Sequence, residues 1–141
     1  VHRLTAAGVP VMGHIGLRPQ QCLVEGGYKI AGKTESAAEA LFNDARAMQE
    51  AGAFAIVLEC VPAKLAKEIS ESLDIPTIGI GAGAGCDGQV QVVNDILGLF
   101  TDFIPKHAKR YANLSTEMQR AFTEYVDDVR NRRFPTDANS F

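Results

Sequence analysis

Residues Phe54-Ala55-Ile56-Val57-Leu58 run apolar without a break and stop at a carboxylate, Glu59. A strand with one face in water alternates polar and apolar side chains, so an uninterrupted run predicts a parallel strand covered on both faces. Parallel strands need long crossovers, and the sequence offers one on each side. Upstream, Ser36-Ala37-Ala38-Glu39 has the spacing of a capping box, with Ser36 as the cap; strong helix formers continue to Ala51, and Gly52 supplies a stop. Downstream, Pro62 suits a first helical turn, a helix follows over Ala63 to Leu73, and Ile75 to Ile80 forms the next strand. Val9-Pro10-Val11-Met12-Gly13 predicts an earlier strand and Val90-Gln91-Val92 a fourth, with Ile96, Leu97, Leu99 and Phe100 packing nearby.

Strand, helix, strand, helix, strand is the order of parallel βαβ units, which makes the chain α/β. Four parallel strands are half of a (β/α)8 TIM barrel, a fold that takes roughly 250 residues. The chain has 141 and opens at Val1 on what reads as the last turns of a helix stopped by Gly8. The expectation is therefore that residues 1–141 are the C-terminal half of a single barrel domain, strands 5 to 8 plus C-terminal helices, with the N-terminal half absent. The final helix spans about Thr116 to Arg132, capped by Ser115 or Thr116. Met118, Ala121, Phe122, Tyr125, Val126 and Val129 form a stripe along it that needs a partner surface.

Composition removes several functions. A net charge of −3, with basic residues scattered except for Arg130, Arg132 and Arg133, leaves no footprint for nucleic acid. No apolar stretch approaches the roughly 20 residues that span a bilayer, so no membrane role is expected. Cys22, Cys60 and Cys86 are odd in number and form no C-x-x-C pair, which argues against disulfides and zinc and for a reducing, cytoplasmic location.

Ligands of such sheets meet the carboxyl ends of the strands, where His14 ends the first predicted strand and Glu59 the second. If those strands are neighbours, both side chains reach one rim. A carboxylate emerging from apolar surroundings loses solvation and becomes a better base near neutral pH, which suits Glu59 to proton abstraction. A glutamate there can equally pair with a lysine or cap a helix, and a histidine can be satisfied by a backbone carbonyl; position leaves these readings open. Gly83-Ala84-Gly85-Cys86-Asp87-Gly88 matches G-x-G-x-x-G, but a strand follows where the dinucleotide fingerprint requires a helix. Close approach to a ligand or a tight turn remain, with Asp87 capping that turn. His2 and His107 have no partners at metal-ligand spacing.

With these residues placed, the chain resembles ketopantoate hydroxymethyltransferases over essentially its whole length. Val9-Pro10-Val11-Met12-Gly13-His14-Ile15-Gly16-Leu17 with Pro19-Gln20 and Gly26-Gly27-Tyr28-Lys29 resembles the family's fifth strand and loop. Val57-Leu58-Glu59-Cys60-Val61-Pro62 resembles the sixth, Ile75-Pro76-Thr77-Ile78-Gly79-Ile80-Gly81-Ala82-Gly83 the seventh, and Asp87-Gly88-Gln89-Val90 the start of the eighth. Ile104-Pro105-Lys106 and the last helix follow in order. The resemblance implies hydroxymethyl transfer from 5,10-methylenetetrahydrofolate to 3-methyl-2-oxobutanoate, giving ketopantoate in pantothenate biosynthesis. It implies that Glu59 is the proton acceptor, that Mg2+ stabilises the resulting enolate, and that His14 hydrogen-bonds substrate or intermediate. The family's metal ligands lie on the first four strands, so the resemblance gives no metal ligand and no folate contact in this chain and implies little turnover from it alone. It also implies a homo-oligomer, often a decamer, with C-terminal helices at subunit contacts. Two other readings fit the element order: a magnesium-dependent 2-oxo-acid lyase or mutase of the phosphoenolpyruvate-binding barrel superfamily, and a non-catalytic half-barrel that binds a ligand or partner chain.

Overall fold

The computed structural model describes residues 1–21, 23–24 and 27–141. Cys22 and Gly26, which enter the cysteine count and one motif above, lie outside the described residues. The chain forms two compact units, Val1–Val90 and Gln91–Phe141. The first contains α1 (His2–Ala6), β1 (Met12–Gly16), α2 (Glu35–Glu50), β2 (Ala55–Glu59), α3 (Ala63–Glu71), β3 (Thr77–Ile80) and β4 (Gly88–Gln89). The four strands make one sheet in the order β1-β2-β3-β4, every neighbouring pair parallel. The α/β class and the parallel sheet expected from the sequence are both present.

Several boundaries differ from the sequence reading, each for a local reason. The first strand is Met12–Gly16 instead of Val9 to Gly13. Pro10 has no N–H to give a ladder, and Gly13 and Gly16 interrupt the apolar run beyond it. His14 therefore lies inside β1 instead of ending it. Helix α2 is capped by Thr34, not Ser36: Thr34 is extended, and its hydroxyl accepts from the Ala37 N–H at 3.2 Å. Phe54 precedes β2 and is half exposed. Helix α3 stops at Glu71, β3 starts only at Thr77, and the fourth strand is Gly88–Gln89 instead of Val90 to Val92.

The sheet is covered along one face and largely open on the other, which corrects the expectation for β2 beyond Ala55. Gly13, Ile15, Ile56, Leu58, Thr77 and Gly79 are buried, and the aliphatic ones join Ala45 of α2 and Leu65, Ala66 and Ile69 of α3 in the core. Ile56, Leu58 and Ile69 are fully enclosed, each contributing about 1.5–3 kcal/mol by burial. The alternate positions Met12, His14, Val57, Glu59, Ile78 and Ile80 occupy the other face and stay partly exposed, with Ala55, at 2% exposure, the buried exception on it.

Seven residues, 81–87, join β3 to β4, fewer than the dozen or more that a parallel crossover usually takes. They manage it without a helix by running as a strap back along α3. A Cβ at Gly83 would collide with that of Ala63, and one at Gly85 would stand 2.6 Å from that of Lys67. The glycines of the G-x-G-x-x-G match thus serve close packing on a helix. Asp87 fixes the strap's far end: its carboxylate accepts from the Thr77 N–H at 2.8 Å and hydroxyl at 3.0 Å, and Ser70 of α3 meets that hydroxyl at 2.7 Å. Hydrogen bonds from the Thr77 backbone and hydroxyl hold the Asp87 carboxyl below its ordinary 3.8. A depressed folded value means stability present in full above that ordinary value and lost as pH falls through the lower one. Asp87→Ala is expected to cost about 1–2 kcal/mol at pH 7, and urea midpoints of the two proteins should converge towards pH 3.

In the second unit, α4 (Val93–Ile96) is a single turn and α5 (Leu114–Arg130) begins after Asn113 instead of Ser115 or Thr116. Of the three terminal arginines, Arg133 pairs with Asp127 and Asp128. The stripe along α5 is exposed, with Met118, Phe122 and Tyr125 at 47%, 62% and 55%. No helix of the described residues is long and apolar enough to cross a membrane.

Candidate functional site

The register of the strands decides which side chains meet. His14 sits opposite Val57 and Gly16 opposite Glu59, so His14 and Glu59 are diagonal neighbours on the exposed face, at its carboxyl edge. Their side chains approach to 3.1 Å between His14 Nε2 and Glu59 Oε2, at exposures of 33% and 15%. Nε2 is itself enclosed, yet among the described residues no acceptor lies within hydrogen-bonding geometry of it. The pair is therefore a close electrostatic contact with the imidazole poised beside the carboxylate, and a small rotation of either side chain, or an incoming ligand, would complete the bond. The two predicted site residues are thus brought together, although His14 reaches the rim from within its strand.

The backbone at Glu59 is held from three directions. Leu17 N–H donates to the Glu59 carbonyl at 2.8 Å, Cys60 N–H donates to the Ile80 carbonyl at 2.9 Å, and Ala31 N–H donates to the Cys60 carbonyl at 2.9 Å. Gly16 has φ +91, and a Cβ there would overlap the Glu59 carbonyl oxygen. Cys60 itself has φ +50, uncommon for a residue with a side chain. That turn lets Glu59 face the open side while Val61, at 2% exposure, enters the core. The Cys60 thiol is pushed above its ordinary value of 9.0, first by burial and then by the charge on Glu59, which keeps it protonated and a poor nucleophile. None of these backbone constraints was foreseen from sequence; the glycine two positions past His14 was the one available hint.

Beside Gly16 opens a cavity of about 450 Å3 whose lining includes Arg18, Ala31, Lys33, Leu41 and Asp44. Neither His14 nor Glu59 lines it. Asp87 and Thr77 lie at the amino ends of the strands, on the opposite edge from Glu59, so they hold the sheet and do not enter the site. His107 accepts at its backbone carbonyl from Gln91 in the second unit. Among the described residues no three His, Cys, Asp or Glu side chains cluster as a metal site. Magnesium asks for an octahedron of oxygens, and the rim offers a single carboxylate beside an imidazole, so the residues present do not hold that ion by themselves.

A parallel α/β sheet places ligand sites at the carboxyl ends of its strands, and this one carries an adjacent carboxylate and imidazole there. Comparison with known proteins goes further: the family model described as ketopantoate hydroxymethyltransferase matches residues 1–137, and the chain belongs to that family. A 3-methyl-2-oxobutanoate hydroxymethyltransferase of Syntrophus aciditrophicus is 54% identical over 141 residues, covering 100% of this chain and 52% of that protein. One from Enterococcus faecalis is 53% identical over the same length, covering 51% of its own. One from Chloroflexus aurantiacus is 58% identical over 135 residues, 96% of this chain and 48% of the relative. The chain spans about half the length of the curated relatives it matches.

Proposed function

We propose that this chain supplies the catalytic-base half of a 3-methyl-2-oxobutanoate hydroxymethyltransferase with a (β/α)8 barrel, its strands β1 to β4 being the last four of eight. The observation that carries the reading is the contact of Glu59 with His14 at 3.1 Å on the exposed sheet face. Four further strands would cover that face, where Val57, Ile78 and Ile80 are now partly exposed. In this reading a Glu59 oxygen takes the hydrogen from C3 of the keto acid: the C3–H bond breaks, an O–H bond forms on Glu59, and the electron pair moves into an enolate. The enolate carbon then bonds to the methylene carbon carried by 5,10-methylenetetrahydrofolate as one folate C–N bond breaks, that nitrogen taking the proton from Glu59; water then supplies the hydroxyl as the second C–N bond breaks, releasing tetrahydrofolate and ketopantoate. His14 lies where it can hydrogen-bond the substrate or hold the carboxylate in place. When bound, Mg2+ would polarise the keto oxygen; its ligands are assigned to the other half of the parent protein. The exposed stripe of α5 is assigned to contacts between subunits of a homo-oligomer.

The test joins this chain to the N-terminal half of the Syntrophus aciditrophicus relative. The joined polypeptide is expected to exchange the C3 hydrogen of 3-methyl-2-oxobutanoate with solvent and to form ketopantoate when magnesium and the folate donor are supplied, while the chain alone does neither. Equal activity from the chain alone would remove the half-barrel reading. A folded joined protein without exchange would favour a non-catalytic binding role.

A further inference from the structure

We propose that Cys60 is a positioning residue that acts through its backbone conformation and not through its thiol, locking Glu59 onto the rim beside His14. The inference rests on the reading of Glu59 as the base. Cys60 combines φ +50 with a side chain that gains nothing evident from it: its thiol makes no described bond, is free, and is held protonated by burial and by Glu59. Residues kept in the left-handed region persist only where their surroundings over-determine them. Here they do. The peptide groups flanking Cys60 are gripped by Leu17 past the end of β1, by Ile80 at the end of β3, and by Ala31 in the connection that follows β1.

The consequence is geometric. If Cys60 relaxed to negative φ, its N–H and C=O could not keep both Ile80 and Ala31, and Val61 could not enter the core while Glu59 faced outward. Gly16 is the other jaw of the same clamp, because only a residue without Cβ fits against the Glu59 carbonyl in the conformation it holds. The carboxylate thus sits on a peptide held from three sides, which suits a base whose reach to C3 tolerates little error.

The test is a substitution series in the polypeptide joined to the Syntrophus aciditrophicus N-terminal half, read as kcat and KM for the keto acid with thermal midpoints alongside. Cys60→Gly and Cys60→Asn, residues that accept positive φ, are expected to keep kcat within about twofold. Cys60→Val, β-branched and strained there, is expected to lower kcat by about tenfold or more with KM changed less than threefold. Cys60→Ala, which removes only the thiol and bears the same left-handed cost, is expected to keep kcat within about twofold, and should Cys60→Val fail to fold, β-branched Cys60→Thr carries the strained comparison. A loss in Cys60→Gly equal to that in Cys60→Val would show that the thiol matters and overturn the proposal, as would a flat series. Glu59→Gln in the same protein separates the two ideas. Normal turnover in that variant sinks the base reading itself; an inactive variant beside a flat Cys60 series sinks the clamp alone.

Discussion

Glu59→Gln in the joined polypeptide is expected to slow exchange of the C3 hydrogen of 3-methyl-2-oxobutanoate by about 10²- to 10⁴-fold, the range in which a positioned general base contributes. Glutamine matches the shape of glutamate and keeps an oxygen near His14 Nε2, so the variant should fold as the parent does and bind the keto acid with a similar KM. What it lacks is an atom that can accept the proton. Running the exchange without the folate donor isolates proton abstraction from the carbon–carbon bond that follows, so a defect there cannot be assigned to the second substrate. Glu59→Asp keeps the charge and withdraws it by one methylene, roughly 1 Å, a displacement able to cost about a hundredfold. Both variants falling together would place the requirement on a carboxylate at one position. Exchange at the parental rate in Glu59→Gln would assign the base elsewhere in the protein.

How much of this was legible in the sequence depends on the physical scale of each feature. The α/β class was, because Ile56 and Leu58 had to be buried and α2 and α3 were written in stretches of helix formers, although the cap of α2 fell at Thr34 and the end of α3 at Glu71 instead of Ser36 and Leu73. The meeting of His14 with Glu59 was legible too, through parallel neighbours that put alternate residues on one face. Strand ends were not, since Pro10, Gly13 and Gly16 disturb the apolar pattern just where pairing begins and stops. The number of covered faces was misjudged for a related reason: an unbroken apolar run says that both faces avoid water, not that this stretch of chain supplies both covers. The left-handed turn at Cys60 left no trace at all, because cysteine has no preference that announces it; only the bonds from Leu17, Ala31 and to Ile80 define it.

The two faces of β2 make a second large effect measurable within the chain itself. Leu58 is fully enclosed among Ile15, Ile56, Val61 and the α3 side chains Leu65 and Ile69, whereas its neighbour Val57 points to the face that this chain leaves uncovered. Leu58→Ala removes buried methyl groups from a core that can close only partly behind them, and is expected to cost about 2–5 kcal/mol. Val57→Ala removes fewer atoms, from a side chain still partly in water, and is expected to cost about 1 kcal/mol or less in the isolated chain. In the joined polypeptide the order should hold but the gap should narrow, because strands laid over the exposed face would bury Val57 and raise the cost of truncating it. Urea unfolding of both variants, in the chain alone and in the joined form, reads the effect directly. A Val57→Ala penalty that stays unchanged on joining would mean that the added strands do not cover this face, and the eight-stranded arrangement would fall with it.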